Sequence, residues 1–286
     1  MDNSPDSTAH ADGPGPRGPG SIIGLMFRLY IDNLPRAVAI SAIVTIPLVI
    51  AGLAAFGPEF MDMVLGSGLE EDPQPLTASV LVSVSAYAMM YMLGLLAVTA
   101  ALAEAGASAL AGRTVSVGRA YNAAVRRLPS ILGASILTGV IAGIPLALAL
   151  LMAQTLSGIA NIVLLIMTAA LGVYLLVRLV FAPFVALLQQ AGPVAALTGS
   201  WSLVSGMWLR TFAVLFLITL LLGVVQLVFQ LFGALVPGIE AFLVSLVVVP
   251  LTVLADLLIY LDLRARRDGY DVEHMKSELD ALSGPS

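Results

Sequence analysis

Two ionisable residues sit inside long apolar runs of this 286-residue chain, Arg178 and Asp256, and a third, Glu104, closes another such run. A charge within an apolar span is costly to bury, so it is a functional candidate by default, and its probable partner is the first thing to identify. Arg178 and Asp256 follow two similar aromatic-ended segments at nearly the same distance, which places them at similar depth as a candidate intramembrane ion pair. The competing readings are an Arg178 that snorkels to the headgroups while Asp256 faces a wet crevice, and a transport or proton-relay role. Glu104 is read as a boundary charge or as a third member of that network.

Other chemistry is poorly provided for. There is no cysteine, and both histidines, His10 and His274, fall in polar terminal segments. No zinc-protease, nucleophile-elbow, P-loop or dinucleotide pattern occurs. The carboxylates Glu59, Asp62, Glu70, Glu71 and Asp72 cluster in one loop, but their spacing matches no calcium loop. The sequence therefore predicts no catalytic residue, metal or cofactor, and the net charge of −5 argues against nucleic acid as a partner.

The elements that must carry these residues follow from composition. The chain is 59% hydrophobic and only 11% charged, with a mean hydropathy of +1.00, against about 25% charged in soluble domains. Lipid must be its main solvent. A spanning helix needs about 20 apolar residues, and the runs predict six, at 37–56, 76–103, 129–153, 160–187, 211–236 and 241–261. The uncharged stretch 128–177 is too long for one crossing and must turn near Gln154, Ser157 and Gly158. Pro47, Pro145, Pro183 and Pro250 each remove a backbone donor in or near a span, so kinks are expected. Gly139 and Gly143 form a G-x-x-x-G pattern that suits close helix packing, within the molecule or in a dimer.

All but one of the 13 Lys and Arg residues, the exception being Arg178, fall on one side of this topology. The positive-inside bias then places both termini in the cytoplasm. Residues 1–20 read as a disordered tail, 21–265 as the membrane domain and 266–286 as a cytoplasmic tail. The segments ending at Phe27, Tyr121 and Trp201, with Leu34-Pro35 and Leu128-Pro129 following the first two, suggest parallel repeats at about 21–110, 113–190 and 195–265. The fold class is thus all-α: a polytopic bundle of three hairpins, each preceded by a short interfacial amphipathic helix.

The segment Leu258-Ile259-Tyr260-Leu261-Asp262-Leu263-Arg264-Ala265-Arg266-Arg267-Asp268-Gly269-Tyr270-Asp271-Val272-Glu273 resembles the ending of a bacterial and archaeal family named for the membrane domain of glycerophosphoryl diester phosphodiesterase. The stretch 192–217, with Ala196-Leu197 and Ser200-Trp201, resembles that family's other recurring segment. The resemblance implies a six-helix membrane domain without the catalytic barrel, and no catalytic residue is carried over. Read physically, Tyr260 belongs at the interface, Asp262 pairs with Arg266, Arg264, Arg266 and Arg267 meet an anionic leaflet, and Gly269 ends the helix. The expectation is a non-enzymatic multi-pass protein of the bacterial plasma membrane, accessory or scaffold in role, with a transporter or channel component as the alternative. Its expected partners are the lipid bilayer and a membrane protein or a second copy of itself.

Overall fold

The computed structural model describes residues 15–56, 78–152, 158–233 and 242–283. The carboxylates of the 57–77 loop, the 153–157 turn residues, Glu240 and His10 lie outside the described residues. The described residues form helices and no strands, and six helices are long and apolar enough to cross a membrane. This is an all-α integral membrane bundle.

The first unit begins with α1 (Pro19–Asp32), a short helix started by Pro19 and packed through Ile22, Met26 and Leu29. Asn33 stops it and the chain re-enters α2 (Leu34–Phe56), which pairs with α3 (Ala78–Leu110). The Asn33 backbone N–H and side-chain amide both donate to the carbonyl of Leu29, which fixes the break. In the second unit the corresponding Leu128-Pro129 does not interrupt the helix. Lead-in and span form one element, α4 (Val117–Met152), where the residue before that dipeptide is Arg127, whose guanidinium reaches across to Gln190.

α5 (Ile159–Leu179) returns beside α4. The expected single helix to 187 is broken at Val180 and Phe181, and α6 (Ala182–Leu188) continues after a turn. Pro183 explains the break, since it has no N–H for the carbonyl four residues earlier. In the third unit α7 (Pro193–Val204) leads into α8 (Trp208–Gly233), and the last span runs from Val244 to Asp268. That span starts as a π-helical segment, Val244–Val248, and continues as α9 (Val249–Asp268). Pro250 cannot donate to the carbonyl of Leu246, and the hydroxyl of Tyr30 donates to it at 3.0 Å instead. Gly269, in the left-handed conformation at φ 63°, ends α9 as expected, and α10 (Val272–Ser283) folds back over α3, α4 and α6.

The six spans are not equivalent. The most apolar window of the last is 61% buried, against 11–22% for the other five. α9 is therefore the axis of the bundle, in contact with α1, α3, α7 and α8. Gly106 of α3 makes one such contact close. A Cβ there would stand 2.7 and 2.8 Å from the methyls of Leu254 and Leu257. The G-x-x-x-G pattern behaves differently. Nothing lies within 4 Å of a Cβ at Gly139 or Gly143, so the expected intramolecular packing is not made by these two glycines, whereas Gly133 lies tight against Pro193.

Candidate functional site

Because α9 is surrounded on most sides, the polar residues in its last turns must find partners from other elements. Asp262 is 1% exposed. Its carboxylate accepts Arg210 Nη1 at 2.6 Å, Arg266 Nε at 3.0 and 3.1 Å and the backbone N–H of Arg17 at 2.6 Å. Both arginines then turn a second nitrogen on the carbonyl of Arg17, at 2.7 and 2.9 Å. One carboxylate and two guanidiniums thus clamp both backbone polar groups of a single residue, Arg17, in the extended segment before α1. The expected i,i+4 pair with Arg266 is present. Its extension to Arg210 at the start of α8 and to the backbone at Arg17 is long-range, and helical spacing carries no sign of it.

One turn away Arg264 is 12% exposed and does not meet a leaflet. Its Nη1 donates to both oxygens of Glu278 at 2.8 and 3.0 Å, and its guanidinium lies 3.8 Å from the ring centre of Tyr270 and 5.7 Å from that of Tyr260. Tyr270 OH also donates to Glu278, at 2.7 Å. Burial first, and the Glu278 charge next, push the Tyr270 phenol well above its usual range. Tyr260 is likewise not interfacial but fully buried, stacked on Phe184 and accepting from Gln189 Nε2 at 2.9 Å. Arg113, bonded to Asp280 at 2.8 Å, fastens the far end of α10. His274 bonds Asp271 on the exposed side of α10.

Glu104 is buried on α3 and accepts Ser108 Oγ at 2.8 Å and Arg119 Nε at 3.2 Å. It neutralises an arginine of α4, is not exposed, and forms no hydrogen bond or ion pair with Arg178 or Asp256. Those two residues form no ion pair with each other. Arg178 lies between Tyr174 and Trp201, with its guanidinium 5.2 and 4.7 Å from their ring centres. It donates to Ser205 Oγ at 2.6 Å, the Trp201 carbonyl at 3.3 Å and Tyr174 OH at 2.9 Å. The Pro183 break makes this arrangement, since it ends α5 beside the end of α7, and Ser200 Oγ takes up the Arg178 carbonyl at 2.8 Å. Asp256 stands apart. It is half-buried on the same side of α9 as the exposed Thr252 and has no hydrogen bond or ion pair among the described residues.

No group of three or more potential metal ligands occurs among the described residues. A small recess of about 20 Å³ between α1, α2, α3 and α9 has only Asn33 and Arg36 as polar lining. Such an arrangement can lock helices and hold charge at one end of the bundle. Comparison with family models, with curated proteins and with solved structures finds no match.

Proposed function

We propose that this integral membrane protein is a non-enzymatic accessory or scaffold of the bacterial plasma membrane, with its arginine-rich end in the cytoplasm. The observation that carries this reading is the commitment of its buried carboxylates. Asp262 and Glu104 are each held by arginine, so neither is free to move a proton for a substrate. The tail resemblance at residues 258–273 supports kinship with the membrane domains named above, and the residues carrying it are here spent on holding α8, α9, α10 and the N-terminal segment together. Crosslinking with mass spectrometry in native membranes tests the role, with a reproducible partner contact at the arginine-rich end as the expected result. Turnover of glycerophosphodiesters by the purified chain overturns it. Topology is tested with reporter fusions: those after Gly112 and Pro285 report cytoplasm, and an exterior signal from either reverses the orientation.

A second reading, a transporter or channel component, rests on Asp256, a carboxylate within the central span that has no partner among the described residues. Reconstituted protein would then conduct protons or cations, and Asp256→Asn would abolish the flux. Absence of flux in the unsubstituted protein removes this reading.

A further inference from the structure

Among the described residues, Arg178 and Arg267 form no ion pair with any carboxylate, yet both are fixed on the last turn of α7. Arg178 Nη1 donates to the Trp201 carbonyl at 3.3 Å and Arg267 Nη1 donates to the next carbonyl, that of Ser202. Capping α7 accounts for these bonds, but not for what they leave over. A guanidinium has five N–H donors. Arg267 uses one nitrogen, and the Nε of Arg178 is buried without a partner. Two positive charges therefore sit on successive carbonyls of α7, and neither is paired with a carboxylate among the described residues.

The surface beside them is apolar and continuous. Tyr174 meets Trp201 edge-on and Trp208 at 5.5 Å, Trp208 stacks on Phe212 at 5.3 Å, and Phe212 stacks on Phe216 at 5.9 Å. Phe216 begins a shallow open groove on the face of α8 that continues past Leu220 and Gly223. The spacing 208, 212, 216, 220, 223 keeps this stripe on one helix face. Leu209 and Leu220 are exposed on the same helix and Leu176 on α5. A cationic end running into an aromatic and then aliphatic stripe has the polarity order of a phospholipid.

We propose that Arg178 and Arg267 bind the phosphate of an anionic phospholipid whose acyl chain lies along Trp208, Phe212 and Phe216. The guanidinium donors suit phosphate oxygens, and indole and phenol rings such as those of Trp201, Trp208 and Tyr174 suit a headgroup boundary. Free phosphate has the same headgroup chemistry but no use for the stripe.

The chain's two tryptophans, Trp201 and Trp208, both line this site, so intrinsic fluorescence reports on it directly. Purified full-length protein is titrated with phosphatidylglycerol or phosphatidylcholine carrying brominated acyl chains, which quench indole on contact. Phosphatidylglycerol is expected to quench at a mole fraction lower by about fivefold or more, the effect of one basic residue near a charged lipid. Arg267→Gln, at an exposed position, and Arg178→Gln should each remove most of that preference. Gly223→Phe, which fills the groove, should weaken quenching by both lipids. Equal quenching by the two lipids overturns the proposal. So does a preference that survives in Arg267→Gln, because the charge recognised would lie elsewhere. Loss of the preference in 10 mM inorganic phosphate, by roughly the excess expected for a competitor at a single anion site, assigns the arginines to free phosphate and overturns the lipid. Arg267→Gln keeps the test decisive if Arg178→Gln does not fold.

Discussion

From Val98 to Leu110 α3 is nearly all buried, whereas from Leu81 to Leu95 the same helix is mostly exposed. The contrast repeats on α4, with Ala120, Ala124, Ile131 and Ala134 buried and the positions beyond Ile136 largely exposed, and it reverses with chain direction on α5 and α6. The two ends of the bundle hold their shape differently. At the apolar end helices stand beside lipid, which solvates Leu and Ile as well as another helix would, so apolar burial supplies no drive to associate there. At the arginine-rich end, backbone breaks, small residues and charged hydrogen bonds fix which helix touches which. Conformational specificity is therefore concentrated at one end, around α9.

The strongest way to break this picture is to remove its hub. Asp262→Asn keeps the shape but leaves Arg210 and Arg266 sharing a neutral amide. Breaking a buried pair from one side costs about 3 to 5 kcal/mol, and the lower part of that range is expected because both arginines are 31% exposed. Thermal unfolding in detergent should fall sharply, and residues around Arg17 should lose protection from hydrogen exchange. A variant as stable as the parent would mean that the clamp does not hold the N-terminal segment.

Glycines sharpen the contrast at a smaller scale. Gly106→Ala puts a methyl into the contact with Leu254 and Leu257, and overpacking of this kind costs about 1 to 3 kcal/mol. Gly139→Ala and Gly143→Ala meet open space, so each should be neutral or stabilising by up to about 1 kcal/mol through helix propensity. If the alanines at 139 and 143 lower the melting temperature while 106 does not, the packing lies at the apolar end.

How far the sequence anticipated the molecule follows the same division. Lipid-facing runs are read from hydropathy alone, because an apolar stretch without charge has few alternatives, and all six spans are found, although α4 begins at Val117 rather than at 129 and the second and sixth run on to Leu110 and Asp268. Helix interruptions were legible at proline, but not which prolines break: Pro129 lies within α4, while the chain turns just before Pro183. Partner choice was not legible. The spacing of Arg178 and Asp256 from their aromatic anchors suggests a shared depth, yet Arg178 is fixed beside Arg267 on the last turn of α7, where aromatic rings and Ser205 take it up instead. The Asp262 to Arg210 bond joins residues from different helices, and no local spacing encodes it.

The attachment of α10 tests the outermost layer of that end and should be weaker still. Asp280 is bonded to Arg113, and this hydrogen bond and then the arginine's charge hold its carboxyl below the ordinary value of 3.8. A lowered folded value means that the bond's contribution is complete above the ordinary value and is lost as pH falls through the lowered one. Acidifying from pH 7 to pH 5 should therefore leave protection of α10 from hydrogen exchange unchanged as far as Asp280 is concerned. Asp280→Asn should loosen only the last turns of α10, and a loss of protection throughout α9 would show that α10 is part of the central lock.

The smallest expected effect is an interaction of zero. Arg178 and Asp256 each lie in a span, and each substitution, Arg178→Met or Asp256→Asn, has its own cost or gain. Arg178→Met gives up the bonds to Ser205, Tyr174 and the Trp201 carbonyl, together with contact to two aromatic faces, so it should destabilise. Asp256→Asn removes a charge that no cation balances, so it should leave stability unchanged or raise it slightly. Because the two side chains share no partner, their effects should add within about 0.3 to 0.5 kcal/mol, the usual spread for independent sites. An ion pair would instead make the double variant more stable than the sum of the singles. Thermal unfolding of the four proteins in one detergent measures the difference. Additivity leaves Arg178 free to serve the surface at the end of α7 and leaves Asp256 a charge of the central span without a partner among the described residues.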